Sequence, residues 1–256
     1  YQFAHELLRS SVLSEVGANH EARLHRRFAT ALDMLVGPAG VHDRALHLLG
    51  ALRLGEASDA AEAVSVTLEA AQNSVQRFDV DQAIGLLHHA LLLIQDLRLR
   101  DELIGDVQTA LASVQSWGGE PGAAAETLYA AIDSARRADD PVRFARAVLA
   151  TGPDRRVVFD SGSRFELLKE AHAMLGESEP TALGISVEAS LLGESFLPGR
   201  STGILIDPVD LVRRAKGIGD PAATMDALFA AHSVAKVSPQ ILERVKIRDQ
   251  ILDIAG

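Results

Sequence analysis

The chain has 256 residues, of which 47% are hydrophobic and 23% charged, so it is long enough for a large core and is not composed like a disordered polypeptide. It has no cysteine, which excludes disulfides, thiolate metal sites and cysteine nucleophiles and fits a reducing cytosol. A formal net charge of -10 disfavours binding to the phosphate backbone of nucleic acids. No apolar run reaches the ~20 residues of a membrane-spanning helix.

The chain begins without an initiator methionine, and apolar residues already recur at helical spacing in its first fifteen residues. We therefore expect that something upstream has been removed. Helices are predicted near residues 2–15 and 20–36, separated by a turn at 17–19. The second helix carries basic residues and an apolar stripe that we expect to face the core. The stripe consists of Leu24, Phe28, Ala31 and Leu32.

Apolar spacing and Gly or Pro breakers predict helices along the rest of the chain. The predicted ranges are 41–54, 57–77, 80–96, 100–116, 121–137, 141–151, 163–175, 181–193, 208–217, 221–235 and 239–254. Aromatic residues make up only 4%, which suits helices that approach closely along small side chains. The short β-prone runs 157–159 and 203–206 are predicted to be extended loop segments, because two isolated runs cannot make a stable sheet.

Four hexads recur about 40 residues apart, each with an aliphatic second residue and an alanine fifth. They are LLHHAL at Leu86, TLYAAI at Thr127, LLKEAH at Leu167 and LVRRAK at Leu211. With the alanine that precedes each of the first two, they match the second helix of a tetratricopeptide repeat, and Arg164 stands at that position in the third. The period exceeds the ~34 residues of the standard repeat, so we predict a tetratricopeptide-like architecture.

Two Asp-Pro pairs, Asp140-Pro141 and Asp220-Pro221, lie two repeats apart. An aspartate before a helix accepts hydrogen bonds from the first free amides, and proline at the first helical position loses no hydrogen bond. Each pair is therefore predicted to start a new hairpin. Stacked hairpins of this kind predict an all-α fold, a right-handed superhelix of antiparallel helices with a concave groove.

No catalytic motif is present. The phosphate-binding pattern GxxxxGK[ST] and the nucleophile pattern GxSxG are both absent. The closest histidine pairs lack the spacing of three or four that places two ligands on one helix face. They are His88 with His89, His42 with His47, and His20 with His25. We predict no catalytic residue, no metal ligand and no cofactor bound by this chain.

Two irregular segments, 151–163 and 194–208, interrupt the repeat where short turns are expected. Both mix charged and apolar side chains that suit a peptide or small ligand. The candidate ligand- or partner-binding residues are Arg155, Arg156, Phe159, Phe196 and Arg200. The alternative is that both segments only cap neighbouring hairpins.

The opening residues carry a more particular pattern: Tyr1, Phe3, His5, Leu8 and Arg9, then Arg23, Leu24, His25, Arg26, Arg27, Phe28 and Ala29. This order resembles the segment that joins the ATPase core to the helical repeats of LuxR-type large ATP-binding regulators. These are bacterial STAND/AAA-type transcription factors similar to the maltose activator. The resemblance implies that residues 1–36 are the tail of a winged-helix module and linker helices, and that residues 37–256 are tetratricopeptide-like repeats.

The resemblance also implies a function, that of a non-catalytic signal-transducing arm in a cytoplasmic regulator. Its partners would be an upstream ATPase domain, which alone would need ATP and Mg²⁺, and a protein, peptide or small-molecule effector in the groove. His5 and Arg9 would belong to a nucleotide-sensing joint, unless they are only polar residues of an interdomain helix. DNA would be bound by a separate C-terminal domain. The alternatives are an interaction scaffold without a nucleotide switch and an α-helical enzyme.

Overall fold

The computed structural model describes residues 17–55, 60–150, 163–176, 181–195, 206–235 and 249. Within these ranges the regular structure is entirely helical, which confirms the predicted all-α class. A short 3-10 helix, Gly37–Gly40, separates the first two α-helices. The α-helices are α1 Ala18–Leu35, α2 Val41–Arg53, α3 Ala60–Gln76, α4 Val80–Asp96, α5 Asp101–Trp117, α6 Pro121–Arg137, α7 Pro141–Leu149, α8 Ser163–Leu175, α9 Ala182–Ser195, α10 Pro208–Ile218 and α11 Pro221–Ala235.

The predicted helices agree closely with these bounds, and four of them, 80–96, 121–137, 163–175 and 221–235, agree at both ends. The predicted helices 2–15 and 239–254 lie outside the described residues, apart from the helical residue Asp249. The β-prone runs lie outside them too, except Ile206, which is in no regular element. None of the helices in the described ranges is long and apolar enough to cross a membrane.

Aspartates begin several helices in the way that the sequence predicts. The Asp140 carboxylate accepts hydrogen bonds from the amides of Val142 and Arg143 at 3.0 and 2.9 Å, directly before Pro141. Asp220 accepts one from Ala223 at 2.8 Å. Asp207 caps α10 before Pro208 in the same manner. Asp140-Pro141 and Asp220-Pro221 therefore both mark helix starts, whereas the prediction that each pair starts a new hairpin stays a prediction.

The chain divides into two compact units, Tyr1–Ser134 and Ala135–Gly256. In the first unit each described helix from α1 to α5 packs against the next, around one continuous apolar core. The polar side chains of α5 and α6 also meet, since Thr127 donates to Gln115 and Ser134 donates to Gln108. The repeat positions Leu87 and Leu128 are fully buried. The domain boundary predicted at residue 36 stays a prediction.

In the second unit α7 packs on α8, α8 on α9, and α9 on both α10 and α11. The repeat residues Leu168 and Ala171 are buried here as well. In the fourth hexad Leu211 and Ala215 are the buried residues, whereas Val212 is only partly buried. The second position of the hexad is therefore less buried in α10 than in the other three repeats.

The third repeat replaces a buried alanine by an arginine, and the fold accommodates it. Arg164 Nη1 donates to Glu194 Oε1 of α9 at 2.5 Å, and the two side chains are only 5% and 10% exposed. A guanidinium this deeply buried requires an opposite charge, because desolvating an unpaired ion costs several kcal/mol, on the order of 3–5 when one partner is removed. Arg164 thus links α8 to α9 where the first two repeats bury an alanine, Ala83 and Ala124.

One sequence expectation about α1 is wrong. The residues of this helix that are buried are Ala22 and Ala29, whereas Phe28 is 56% exposed. The other members of the predicted stripe, Leu24, Ala31 and Leu32, are only partly buried. Two alanines seven residues apart let α1 approach α2 closely, so the larger apolar side chains lie to either side of the contact.

Candidate functional site

The site residues that the sequence proposed all lie outside the described residues. They are His5, Arg9, Arg155, Arg156, Phe159, Phe196 and Arg200. Their roles stay predictions. The described residues instead bring polar and aromatic side chains together between α1 and α2, and basic side chains along the exposed face of α1.

His25 of α1 and His47 of α2 face each other across the hairpin. Their Nδ1 atoms are 2.9 Å apart, and the Phe28 ring stacks on the His47 ring with the centroids separated by 5.2 Å. The His25 ring also lies against Gly50, where a Cβ atom would stand 2.6 Å from His25 Cε1. Glycine at position 50 therefore permits the close approach of this ring. We call His25, Phe28, His47 and Gly50 the histidine joint.

The hydrogen bond of the histidine joint requires at least one uncharged imidazole. A hydrogen bond between two Nδ1 atoms needs a proton on one ring and a free lone pair on the other. Burial lowers the pKa of His25, Arg53 lowers it further, and Glu21 opposes both. Burial also lowers the pKa of His47, with a second contribution from His25 and an opposing one from Asp43. Both pKa shifts favour uncharged rings, and an uncharged ring supplies the lone pair that accepts this hydrogen bond.

Beside the joint, α1 presents a basic face. Three arginines line an open surface depression of about 650 Å³ together with a threonine, an alanine and a methionine. The lining residues are Arg23, Arg26, Arg27, Thr30, Ala31 and Met34. The neighbouring Leu35 is largely exposed, as is Met34. Cationic groups next to exposed apolar side chains suit a protein surface that carries carboxylates.

An ion-pair bridge holds this part of the fold in place. Arg44 of α2 donates to Asp33 of α1 at 2.8 Å and to Glu62 of α3 at 3.0 Å. Its guanidinium therefore joins three successive helices. These pairs are partly exposed and contribute little individually, on the order of 0–1 kcal/mol each, but they fix how α1 lies on α2.

Sequence reasoning missed the histidine joint because it compared histidines only within single helices. His25 and His47 lie at equal distances from Val36, the residue at the turn, and equidistant residues face each other in an antiparallel hairpin. This equal spacing about the turn could have predicted from the sequence that the two histidines meet. In the described part of the chain no group of three or more histidine, aspartate or glutamate side chains is arranged to hold a metal ion.

Comparisons with known proteins add no family. No protein-family model matches the chain, and no curated protein matches it.

Proposed function

We propose that the chain is a non-catalytic effector- and partner-binding arm of a bacterial ATP-dependent transcriptional regulator. In this proposal the hairpins form a right-handed superhelix with a concave groove, and α1 lies at the joint with an upstream nucleotide-switch domain. The observation that carries the proposal is the repeat: the four hexads fall on α4, α6, α8 and α10, which are alternate helices. A sequence repeat on every second helix is typical of stacked helical hairpins, whose usual role is to bind partners.

The exposed side chains of α1 support contact between this helix and a neighbouring domain. Its basic face and the exposed Met34 and Leu35 offer both charge and apolar area to a neighbouring domain. The resemblance to LuxR-type large ATP-binding regulators predicts such a neighbour at this place. An effector bound to the arm would change the nucleotide switch only if the arm binds it with different affinity in the two states of the switch.

The full-length protein provides the test. We expect its sequence to contain GxxxxGK[ST] upstream, and we expect exchange of ADP for a non-hydrolysable ATP analogue to change amide hydrogen exchange in α1 and α2. The double variant Arg26→Glu/Arg27→Glu should lose that nucleotide-dependent change, because charge reversal repels the surface that the arginines contact. The control variant Arg98→Glu/Arg100→Glu, with two exposed arginines beyond α4, should keep it.

Two results would contradict the switch. One is an upstream sequence without a phosphate-binding loop. The other is identical amide hydrogen exchange in α1 and α2 with ADP and with the ATP analogue. The repeats would then be better explained as an interaction scaffold, which uses the same stacked hairpins without a nucleotide.

A further inference from the structure

Two large aromatic side chains are exposed at one edge of the first unit. Phe78, in the turn between α3 and α4, is 93% exposed, and Trp117, the last residue of α5, is 65% exposed. The two turns are neighbours, since a Cβ atom on Gly118 would lie 3.1 Å from Val80 Cγ1. An exposed aromatic pair of this kind is typical of a binding surface.

The backbone at Phe78 is unfavourable for phenylalanine. Its φ is 61°, in the left-handed region, and the Asp79 amide donates to the Ser74 carbonyl at 2.9 Å to close the turn. Other turns with the same closing hydrogen bond have glycine at the matching position before α6, Gly119, but Arg98 before α5 and Asp139 before α7. Glycine is the residue least strained in this conformation, and a bulky side chain is disfavoured there. Neither the turn nor packing in the core accounts for an aromatic residue at position 78.

The described charged residues close to Phe78 and Trp117 in the sequence are mainly acidic. Three exposed carboxylates, Asp79, Asp81 and Glu120, begin the two helices, and Arg77 is the exposed cation beside them. Part of this charge caps helices, since Asp79 accepts a hydrogen bond from the Gln82 amide. The oxygen atoms that capping leaves free, together with the aromatic faces, are suited to lysine or arginine side chains through ion pairing and cation–π contact.

We propose that this acidic aromatic edge, formed by Phe78, Trp117, Asp79, Asp81 and Glu120, binds a segment of a partner protein that carries lysine or arginine between apolar residues. The edge would disfavour nucleic acid and anionic lipid, because its carboxylates repel phosphate. A second copy of a chain with net charge -10 is a poorer occupant than a cationic partner. Binding at this edge follows from the partner-binding role proposed above and needs no nucleotide switch.

Synthetic peptides test the edge directly in the 256-residue chain. Three peptides of about 15 residues would share the same apolar residues and carry lysine, glutamine or glutamate at the polar positions. Trp117 is the one tryptophan of the chain, so its fluorescence reports occupancy, and calorimetry gives the affinity. We expect the lysine peptide to shift Trp117 emission to shorter wavelength and to bind about tenfold more tightly than the glutamine peptide. The glutamate peptide should not bind.

Matched variants separate the edge from general attraction to an acidic protein. Phe78→Gly keeps the left-handed turn and should weaken binding of the lysine peptide about tenfold. Leu92→Ser, which alters another exposed apolar residue of the same unit, should not. Asp81→Lys should weaken binding, whereas Asp96→Lys, an identical charge change at the other end of α4, should have much less effect.

Three results would overturn the edge as a binding site for a cationic segment. They are unchanged affinity in Phe78→Gly, equal losses in Asp81→Lys and Asp96→Lys, and a Trp117 shift that depends on protein concentration without peptide. The last would identify a contact between two copies. Because the readout is peptide affinity, failure here leaves the nucleotide response of α1 as a separate test of the arm.

Discussion

At the scale of single residues, the histidine joint depends on the protonation of two side chains. Protonation of both His25 and His47 places a hydrogen on each of the facing Nδ1 atoms, which removes the acceptor of their 2.9 Å hydrogen bond. Each imidazolium would also repel the other. The charged groups around the pair partly compensate, since Glu21 and Asp43 favour protonation while Arg53 disfavours it.

The pH dependence has a definite sign. Both histidine pKa values are lower in the folded protein than the ordinary value of 6.5. As the pH falls through this range, the unfolded chain therefore binds more protons than the folded protein does. The stability from the pair is therefore present above about pH 6.5 and is lost progressively below it. We expect the thermal midpoint to fall between about pH 7.5 and about pH 6, and to fall less in the double variant His25→Asn/His47→Asn. Circular dichroism at a series of pH values measures this.

The exposed His89 of α4 offers a matched control for the pair. His89→Asn should leave the pH profile of the thermal midpoint unchanged. If the profile of the double variant runs parallel to that of the unaltered chain, the two histidines do not contribute to the pH dependence.

At the scale of helices, the best example of a locally encoded start is α7. Asp140 caps two amides and also accepts a hydrogen bond from the Arg143 side chain at 2.6 Å. Burial acts to raise its pKa, but the hydrogen bonds from Arg143 and Val142 outweigh it, and the pKa is lowered. The carboxylate is therefore charged at neutral pH. Its negative charge interacts favourably with the positive, N-terminal end of the dipole of α7.

Loss of this cap has a predictable cost. Asp140→Ala should lower the free energy of unfolding by about 1 kcal/mol, because amides of the first helical turn lose their acceptor. Asp140→Asn keeps a side-chain oxygen and should lose much less. Urea titration of both variants measures the difference. Equal losses in the alanine and asparagine variants would show that the negative charge, rather than the capping hydrogen bond, stabilises α7.

The helix ends were predictable from sequence because their causes are local. Asp140 and Pro141 act within a few residues of α7, and Gly118 and Gly119 end α5 in the same way. The side chains that meet across helices were not predictable by the same means. The partner of Arg164 is thirty residues away on α9, and the partner of His25 is on α2, so both contacts depend on how helices pack.

Burial was harder to predict than helix position for a related reason. An apolar stripe indicates which face of a helix is buried only when large side chains make the contact. In α1 the contact is made by Ala22 and Ala29, and Phe28 stacks on His47 while remaining half exposed. The size of the side chains at the closest approach, which a single sequence does not reveal, decided which residues are buried.

At the scale of the whole molecule, the described helices of each unit pack against the next helix in the chain or the next but one. Stability in such an arrangement is approximately a sum of local contributions. A cavity in one unit should therefore weaken the helices around it more than those of the other unit. This expectation can be tested with two fully buried leucines, Leu49 of α2 and Leu211 of α10.

Leu49→Ala removes a fully buried side chain and should cost about 2–5 kcal/mol locally. We expect faster amide exchange in α1 to α3 and unchanged exchange in α9 to α11, as measured by hydrogen exchange with mass spectrometry. Leu211→Ala should give the reciprocal pattern, with faster exchange in α9 to α11. The two variants are matched in chemistry and in burial, so each serves as the control for the other. If either variant accelerates exchange equally in both sets of helices, the chain unfolds as one cooperative body, and local summation of stability is wrong for this protein.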